Sequence, residues 1–215
     1  MSEPTTYRAR TNYDERKATI YQQRKAHKHA GEMKLLDRAF KLIPKSHTVL
    51  DLPCGGGRVF LQLAKQGYKV KAADLSDAMI AIAQKNADQA ALGITVEKGD
   101  VEDLAFMDKS VDTIVCFRLF QHFPTPAIRQ RAVSEMCRVA RQYVAITYFS
   151  PYSWTQVKLI LRQKLGGRKL RKFPTSLAEV EGYFANSGYR LVKDFGQLPY
   201  LHTLHLVVFE RISEH

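Results

Sequence analysis

An apolar run that ends in an acid and passes directly into three glycines constrains this chain more than anything else in it: Val49-Leu50-Asp51-Leu52-Pro53-Cys54-Gly55-Gly56-Gly57-Arg58, with Asp74 closing the next apolar run. Glycines without a Cβ leave the backbone N–H groups open to a ligand, so the loop reads as a nucleotide-cofactor cradle. The stretch Arg58 to Lys65 sets Val59, Leu61, Leu63 and Ala64 among polar residues as a helix, and Tyr68 to Ala73 reads as a second strand. Strand, loop, helix and strand make a βαβ unit. The dinucleotide fingerprint asks for a further glycine where Phe60 stands, and Asp51 would face a pyrophosphate with like charge. A cationic or zwitterionic ligand suits that acid better.

Later segments extend the pattern in order. Asp74-Leu75-Ser76-Asp77-Ala78-Met79 follows strand two, Gly99-Asp100-Val101-Glu102-Asp103-Leu104 follows strand three, and Val111 to Cys116 leads into Phe117-Arg118-Leu119-Phe120-Gln121-His122-Phe123. Taken together these resemble a class I S-adenosylmethionine-dependent methyltransferase of the small-molecule type, from about Ala30 to Arg211. There are two departures. Pro53 stands where the family's loop has its first glycine, and the Pro-Gly-Gly turn before strand five is missing, since Val139-Ala140-Arg141-Gln142 runs directly into Tyr143.

The resemblance implies a Rossmann-like doubly wound α/β fold in three layers, with a mostly parallel sheet and an antiparallel pair at its edge. Strands are expected at 48–52, 69–73, 95–98, 113–117, 143–149, 189–195 and 204–211, with helices including 78–92 and 126–140. Strands alternating with helices imply a sheet covered on both faces. Thr175 or Ser176 starts a helix through Ala185, with Glu179 spaced for a capping box from Ser176. Residues 1–45 form an N-terminal helical lid segment, residues 46–215 the methyltransferase domain, and 151–175 a basic helical insertion within it.

At 215 residues the chain is long enough for one well-cored domain. No apolar run approaches the roughly 18–20 residues of a membrane helix, and the opening residues lack a signal-peptide core, so a cytoplasmic protein is expected. Cys54, Cys116 and Cys137 lack metal-ligand spacing and read as reduced packing cysteines. His27 and His29, two apart, cannot share a helix face, and no metal site is expected. The net charge of +12 is unevenly spread: residues 1–50 hold 11 Lys/Arg against 5 Asp/Glu, and residues 151–175 hold 7 against none. These regions flank the cofactor core. They point to a small-molecule, phosphorylated or otherwise anionic partner, or to a solvated basic surface.

Residue by residue, the resemblance implies that Asp74 accepts the two ribose hydroxyls of S-adenosylmethionine, Asp100 accepts from the adenine amine and the Val101 N–H meets a ring nitrogen. Asp51 faces the amino-acid end, and Pro53, Cys54, Gly55, Gly57 and Leu75 form the cradle. Met79 and Phe117 either wall the adenine or pack the core. Methyl transfer is an in-line displacement in which positioning carries much of the rate, with effective molarities of roughly 10⁵ M or more for well-oriented reactants. A base is needed only where the acceptor loses a proton, and His122 is placed for it. Arg118, Tyr148, Tyr152, Arg168 and Arg171 are the candidate acceptor contacts, with Arg118 placed to reach either an anionic substrate or the cofactor carboxylate. Two alternatives stand beside this reading. A regulatory protein would use the same fold to bind an anionic ligand such as a nucleotide second messenger or phosphorylated glycolipid. An RNA methyltransferase is the other, although the Asn-Pro-Pro-aromatic signature of amino-directed nucleic-acid enzymes is absent after strand four.

Overall fold

In the computed structural model, residues 26–154, 172–196 and 203–213 are described, with side chains in the first helix from residue 30 onward. The elements run α1 (Ala26–Phe40), β1 (Thr48–Asp51), α2 (Arg58–Lys65), β2 (Lys69–Asp74), α3 (Asp77–Gln89), β3 (Val96–Lys98), β4 (Val111–Cys116), a 3₁₀ turn (Phe120–His122), α4 (Pro126–Val139), β5 (Ala140–Phe149), α5 (Leu177–Ala185), β6 (Tyr189–Gly196) and β7 (Leu204–Arg211). The seven strands lie in the order β3-β2-β1-β4-β5-β7-β6. The first five are parallel, while β7 runs antiparallel to both β5 and β6, which puts the antiparallel pair at the sheet edge.

Period-two alternation distributes each central strand between two cores. Leu50, Ile114, Val144, Ile146, Val207 and Phe209 face one side, where Ile128, Val133 and Met136 of α4 and Val180 and Phe184 of α5 close over them. Their chain neighbours Val49, Val115, Ala145, Leu206 and Val208 face the other, under Leu35, Leu36 and Phe40 of α1 and Val59 and Leu63 of α2. A third cluster, Phe60, Ala72, Ala83, Ala87 and Val96, seats α3 beneath β2 and β3, and Val70 touches this cluster and the second. Near-continuous apolar strands thus follow from burial on both faces.

Strand five starts three residues earlier than the sequence suggests. It follows α4 with no glycine cap, and long side chains take over the helix's last carbonyls. The Tyr189 hydroxyl donates to the oxygen of Ala140 at 2.9 Å and to that of Cys137 at 3.3 Å. Arg211 donates to the oxygens of Ala140 (2.8 Å) and Arg141 (3.1 Å) and also to Cys137 O. These bonds replace the usual turn chemistry. At α5, the Ser176 hydroxyl accepts from Glu179 N–H at 3.2 Å, as the cap spacing predicts. The Glu179 carboxylate does not reach back, because Arg129 (2.6 Å) and the Tyr183 hydroxyl (2.6 Å) engage it. The pair crosses between α4 and α5, so the capping box is half built. Cys54, Cys116 and Cys137 are all buried free thiols. Among the described residues, no helix is long and apolar enough to cross a membrane.

Candidate functional site

The order β2-β1-β4 brings the carboxyl ends of β1 and β4 side by side where the chain's direction of progress reverses, and a crevice opens there in folds of this kind. Register makes the ends flush: Asp51 lies opposite Ala72 on one side and Val115 on the other. A cavity of about 930 Å³, open mouth included, sits on this rim. Its walls come from the loop after β1, the ends of β2, β3 and β4, and the 3₁₀ turn.

The glycine loop is held from below. Asp74 is buried, and its two oxygens accept from Gly55 N–H (2.8 Å) and Ser76 N–H (2.9 Å), locking the β1 loop to the β2 loop. Its carboxyl is pushed above the ordinary range, first by burial, with the N–H groups of Ser76, Gly55 and Leu75 pulling the other way. Ser76, not Asp74, caps α3, since its hydroxyl accepts from Met79 N–H. Gly57 has φ +92°, and a Cβ there would lie 2.5 Å from the Phe60 ring. The ring that takes the place of a further glycine is therefore accommodated by Gly57. Gly55 is also left-handed, with open space where a Cβ would be, so the loop presents bare backbone to the cavity. Leu52–Pro53 is a cis peptide bond.

Asp51 sits behind the loop and does not line the cavity. One oxygen accepts from Phe60 N–H at 3.1 Å, and the other is buried with no hydrogen-bond partner among the described residues. Burial drives its carboxyl well above the ordinary range, opposed by the Phe60 N–H, while the Asp74 charge adds to the rise and Arg58 reduces it. Burial also pushes up the Cys54 thiol in the loop, with Asp51 and Asp74 adding to the effect.

Of the residues expected from sequence, Pro53, Cys54, Gly55, Asp74, Leu75, Met79, Asp100, Val101, Phe117, Arg118 and His122 all line this cavity. Asp100 starts a turn in which its side chain accepts from Glu102 N–H at 3.1 Å. Gly57 and Asp51 support the loop from behind. Two of the expected acceptor contacts lie outside this lining. Tyr148 does not line the cavity: parity on β5 sends it to the same side as Val144 and Ile146, where its hydroxyl donates to Asp194 at 3.1 Å. Its neighbour Thr147 is the residue that serves the rim, accepting from Arg118 N–H at 2.6 Å. Tyr152 is also absent from the lining and stands 76% exposed beyond the strand end. Arg168 and Arg171 lie outside the described residues, as does most of the expected basic insertion.

Sequence reading did not single out Leu52, Gly56, Arg58, Val59, Gly99 and Leu119 in the lining, nor Glu32, which pairs with Arg58 and Arg118. Arg58 was legible as the first helical residue after the glycines. Glu32 was not, because it reaches the site from α1 through the fold. Its carboxylate meets Arg58 at 2.5 Å and Arg118 at 3.5 Å. The Arg58 guanidinium lies over Phe117 and that of Arg118 over Phe149, 5.4 and 5.2 Å from the ring centroids. Arg118 has φ +67°, a left-handed conformation costing a non-glycine residue about 1–3 kcal/mol, and such strain concentrates at ligand sites.

Comparison with known proteins finds likeness to methyltransferases. Residues 49–143 match a methyltransferase domain model. A ubiquinone biosynthesis O-methyltransferase of Coxiella burnetii is 38% identical over 82 residues, covering 38% of this chain and 35% of that protein. The chloroplastic magnesium protoporphyrin IX methyltransferase of Arabidopsis thaliana is 26% identical over 148 residues, 68% of this chain and 47% of that protein. The matched regions thus span less than half of these relatives. Among solved structures, magnesium protoporphyrin IX methyltransferase from Synechocystis PCC 6803 with bound SAH superposes with a TM-score of 0.71 at 17% identity, covering 85% of this chain and 84% of that one. The PH0226 protein of Pyrococcus horikoshii gives 0.71 at 19%, covering 87% and 92%. These likenesses are likenesses of fold. Residues 49–143, somewhat under half of the chain, thus match a methyltransferase domain, and the 3-2-1-4-5-7-6 sheet has the fold of the solved magnesium protoporphyrin IX methyltransferase.

Proposed function

We propose that the chain binds S-adenosylmethionine in the β1–β4 crevice and transfers its methyl group to a small anionic molecule. The observation that carries this reading is the placement of charge around one cavity. Asp74 and Asp100 lie at the β2 and β3 ends, and Arg58 and Arg118 line the cavity from the start of α2 and from just after β4.

The donor set fits the cofactor. Asp74, anchored by two N–H bonds, keeps further lone pairs for the ribose hydroxyls, and Asp100 with the Val101 backbone would take the adenine edge. Leu75, Met79 and Phe117 supply apolar surface. Asp51, behind the glycine loop, has one oxygen with no partner among the described residues, and its acid suits the ammonium of the amino-acid end. When bound, the cofactor supplies an electrophilic methyl group on a sulfonium. What remains to the protein is to exclude water, hold the acceptor in line and receive its proton. His122 lines the cavity at the end of the 3₁₀ turn, and we assign it as proton acceptor for a hydroxyl or amine nucleophile. Arg118 would orient the acceptor through its anionic group. The names of the relatives, methyltransferases of ubiquinone biosynthesis and of magnesium protoporphyrin IX, support a small-molecule acceptor.

Calorimetry with S-adenosylhomocysteine tests the cofactor half. The wild type should bind, and Asp74→Ala should lose roughly tenfold or more in affinity, as expected for a lost pair of hydrogen bonds to a carboxylate. Equal binding by both proteins would overturn it. Incubating the enzyme with methyl-labelled cofactor and fractionated cell extract tests the other half, with label expected in small acidic compounds.

A further inference from the structure

The arginines of the cavity wall already hold a carboxylate, and it belongs to the protein. Glu32 is buried on α1, it does not line the cavity, and it bridges Arg58 and Arg118 unequally. At 2.5 Å the Arg58 contact is a tight charge-assisted bond, whereas 3.5 Å to Arg118 exceeds ordinary hydrogen-bond length. A simple tether of α1 to α2 would need Arg58 alone.

Arg118 is held by other means. Its N–H is fixed to Thr147 at 2.6 Å, its backbone is left-handed at φ +67°, and its guanidinium rests on Phe149. The Lys172 ammonium lies 4.6 Å from the centroid of the same ring. The chain brings it there because Phe173 N–H donates to Gln121 O (2.9 Å) and Thr175 N–H to Phe149 O (2.8 Å), carrying 172–175 across the ends of β4 and β5. Among the described residues, the carboxylate that pairs with Arg58 and Arg118 is that of Glu32, while Lys172 shares the Phe149 ring with Arg118.

We infer that Glu32 is a built-in competitor for the acceptor's anionic group. The acceptor takes Arg118 from the loose arm of the bridge while Arg58 retains Glu32. The Glu32 charge then sets a threshold: neutral molecules gain nothing at Arg118, and anions bind against a carboxylate that weakens but does not cancel the attraction. Glu32 is a specificity-determining residue acting through Arg118. This inference rests on the crevice being the methyl-transfer site.

The test uses the full chain saturated with S-adenosylhomocysteine and two probes that differ in charge, benzoate and benzamide, titrated by saturation-transfer NMR. Benzoate should bind the wild type at least about fivefold more tightly than benzamide, since an arginine contact in a half-buried site favours the anion. Glu32→Gln keeps the side-chain shape and removes the charge, and it should raise benzoate affinity roughly three- to tenfold while leaving benzamide unchanged. Arg118→Met should erase the preference, and Arg118→Lys should keep part of it. Equal affinity for the two probes overturns the inference, as does benzoate binding that Glu32→Gln leaves unchanged or weakens. Failure of S-adenosylhomocysteine to bind would instead count against the cofactor reading, and the same titrations on the unliganded chain would still decide the role of Glu32.

Discussion

Gly57 shows how one residue serves loop and core together. Its φ of +92° turns the chain into α2, and its missing Cβ leaves room for Phe60. Gly57→Ala combines a left-handed penalty with a steric clash and should destabilise the protein by about 2–4 kcal/mol in chemical denaturation. Gly57→Ala with Phe60→Leu should recover part of that loss, because the clash is with the ring. Asp51 presents the opposite case, a charge that costs stability. Its folded pKa is raised, so the folded state holds that proton more tightly than the unfolded chain does. The wild type consequently loses stability from Asp51 as pH rises above the ordinary carboxylate value of about 3.9, until the raised folded pKa is passed. Asp51→Asn removes this cost. It should match the wild type near pH 3 and exceed it in stability at neutral pH, while weakening S-adenosylhomocysteine binding. A variant less stable than wild type at neutral pH would contradict this account. The residue types at these positions were legible in the sequence, since an acid before glycines and Phe60 after them are linear patterns. Glu32 was not, because nothing along the chain links it to Arg58 and Arg118.

Among the elements, α4 and β5 show what a missing turn requires. No glycine or proline separates them, and the carbonyls of Cys137, Ala140 and Arg141 are served by Arg211 and Tyr189 from the far end of the chain. Arg211→Met preserves the apolar stem and removes the donors. It should cost about 1–3 kcal/mol in thermal or urea unfolding, more than a typical surface arginine, because partly buried carbonyls lose their partners. The sequence shows the absent Pro-Gly-Gly turn but not its replacement, which comes from residues about 50 to 70 positions away. Tyr148 carries the same lesson in a strand. Its position near the end of β5 suggested the acceptor pocket, but parity set by β7 turns it toward Asp194 and gives the rim to Thr147.

For the whole molecule, charge is unevenly divided along the chain. The net +12 is concentrated in residues 1–50 and 151–175, while the cavity contains both Asp and Arg. Association of the chain with a polyanionic matrix should therefore fall steeply between about 50 and 300 mM salt, as counterion release requires, while S-adenosylhomocysteine affinity should change less than about threefold. Comparable salt slopes for the two would place the basic excess at the cofactor site and contradict this division. The sequence by itself determined the order of strands and helices, the glycine cradle and the acids at the ends of β2 and β3, because period-two and helical patterns and an ordered set of short motifs are local properties. Only the tertiary structure decided which cations face the cavity and which carboxylate opposes them. Ion pairing across α1, α2 and the end of β4 depends on distances in space, and so Arg58, Arg118 and Glu32, at positions far apart in the chain, meet within 2.5–3.5 Å.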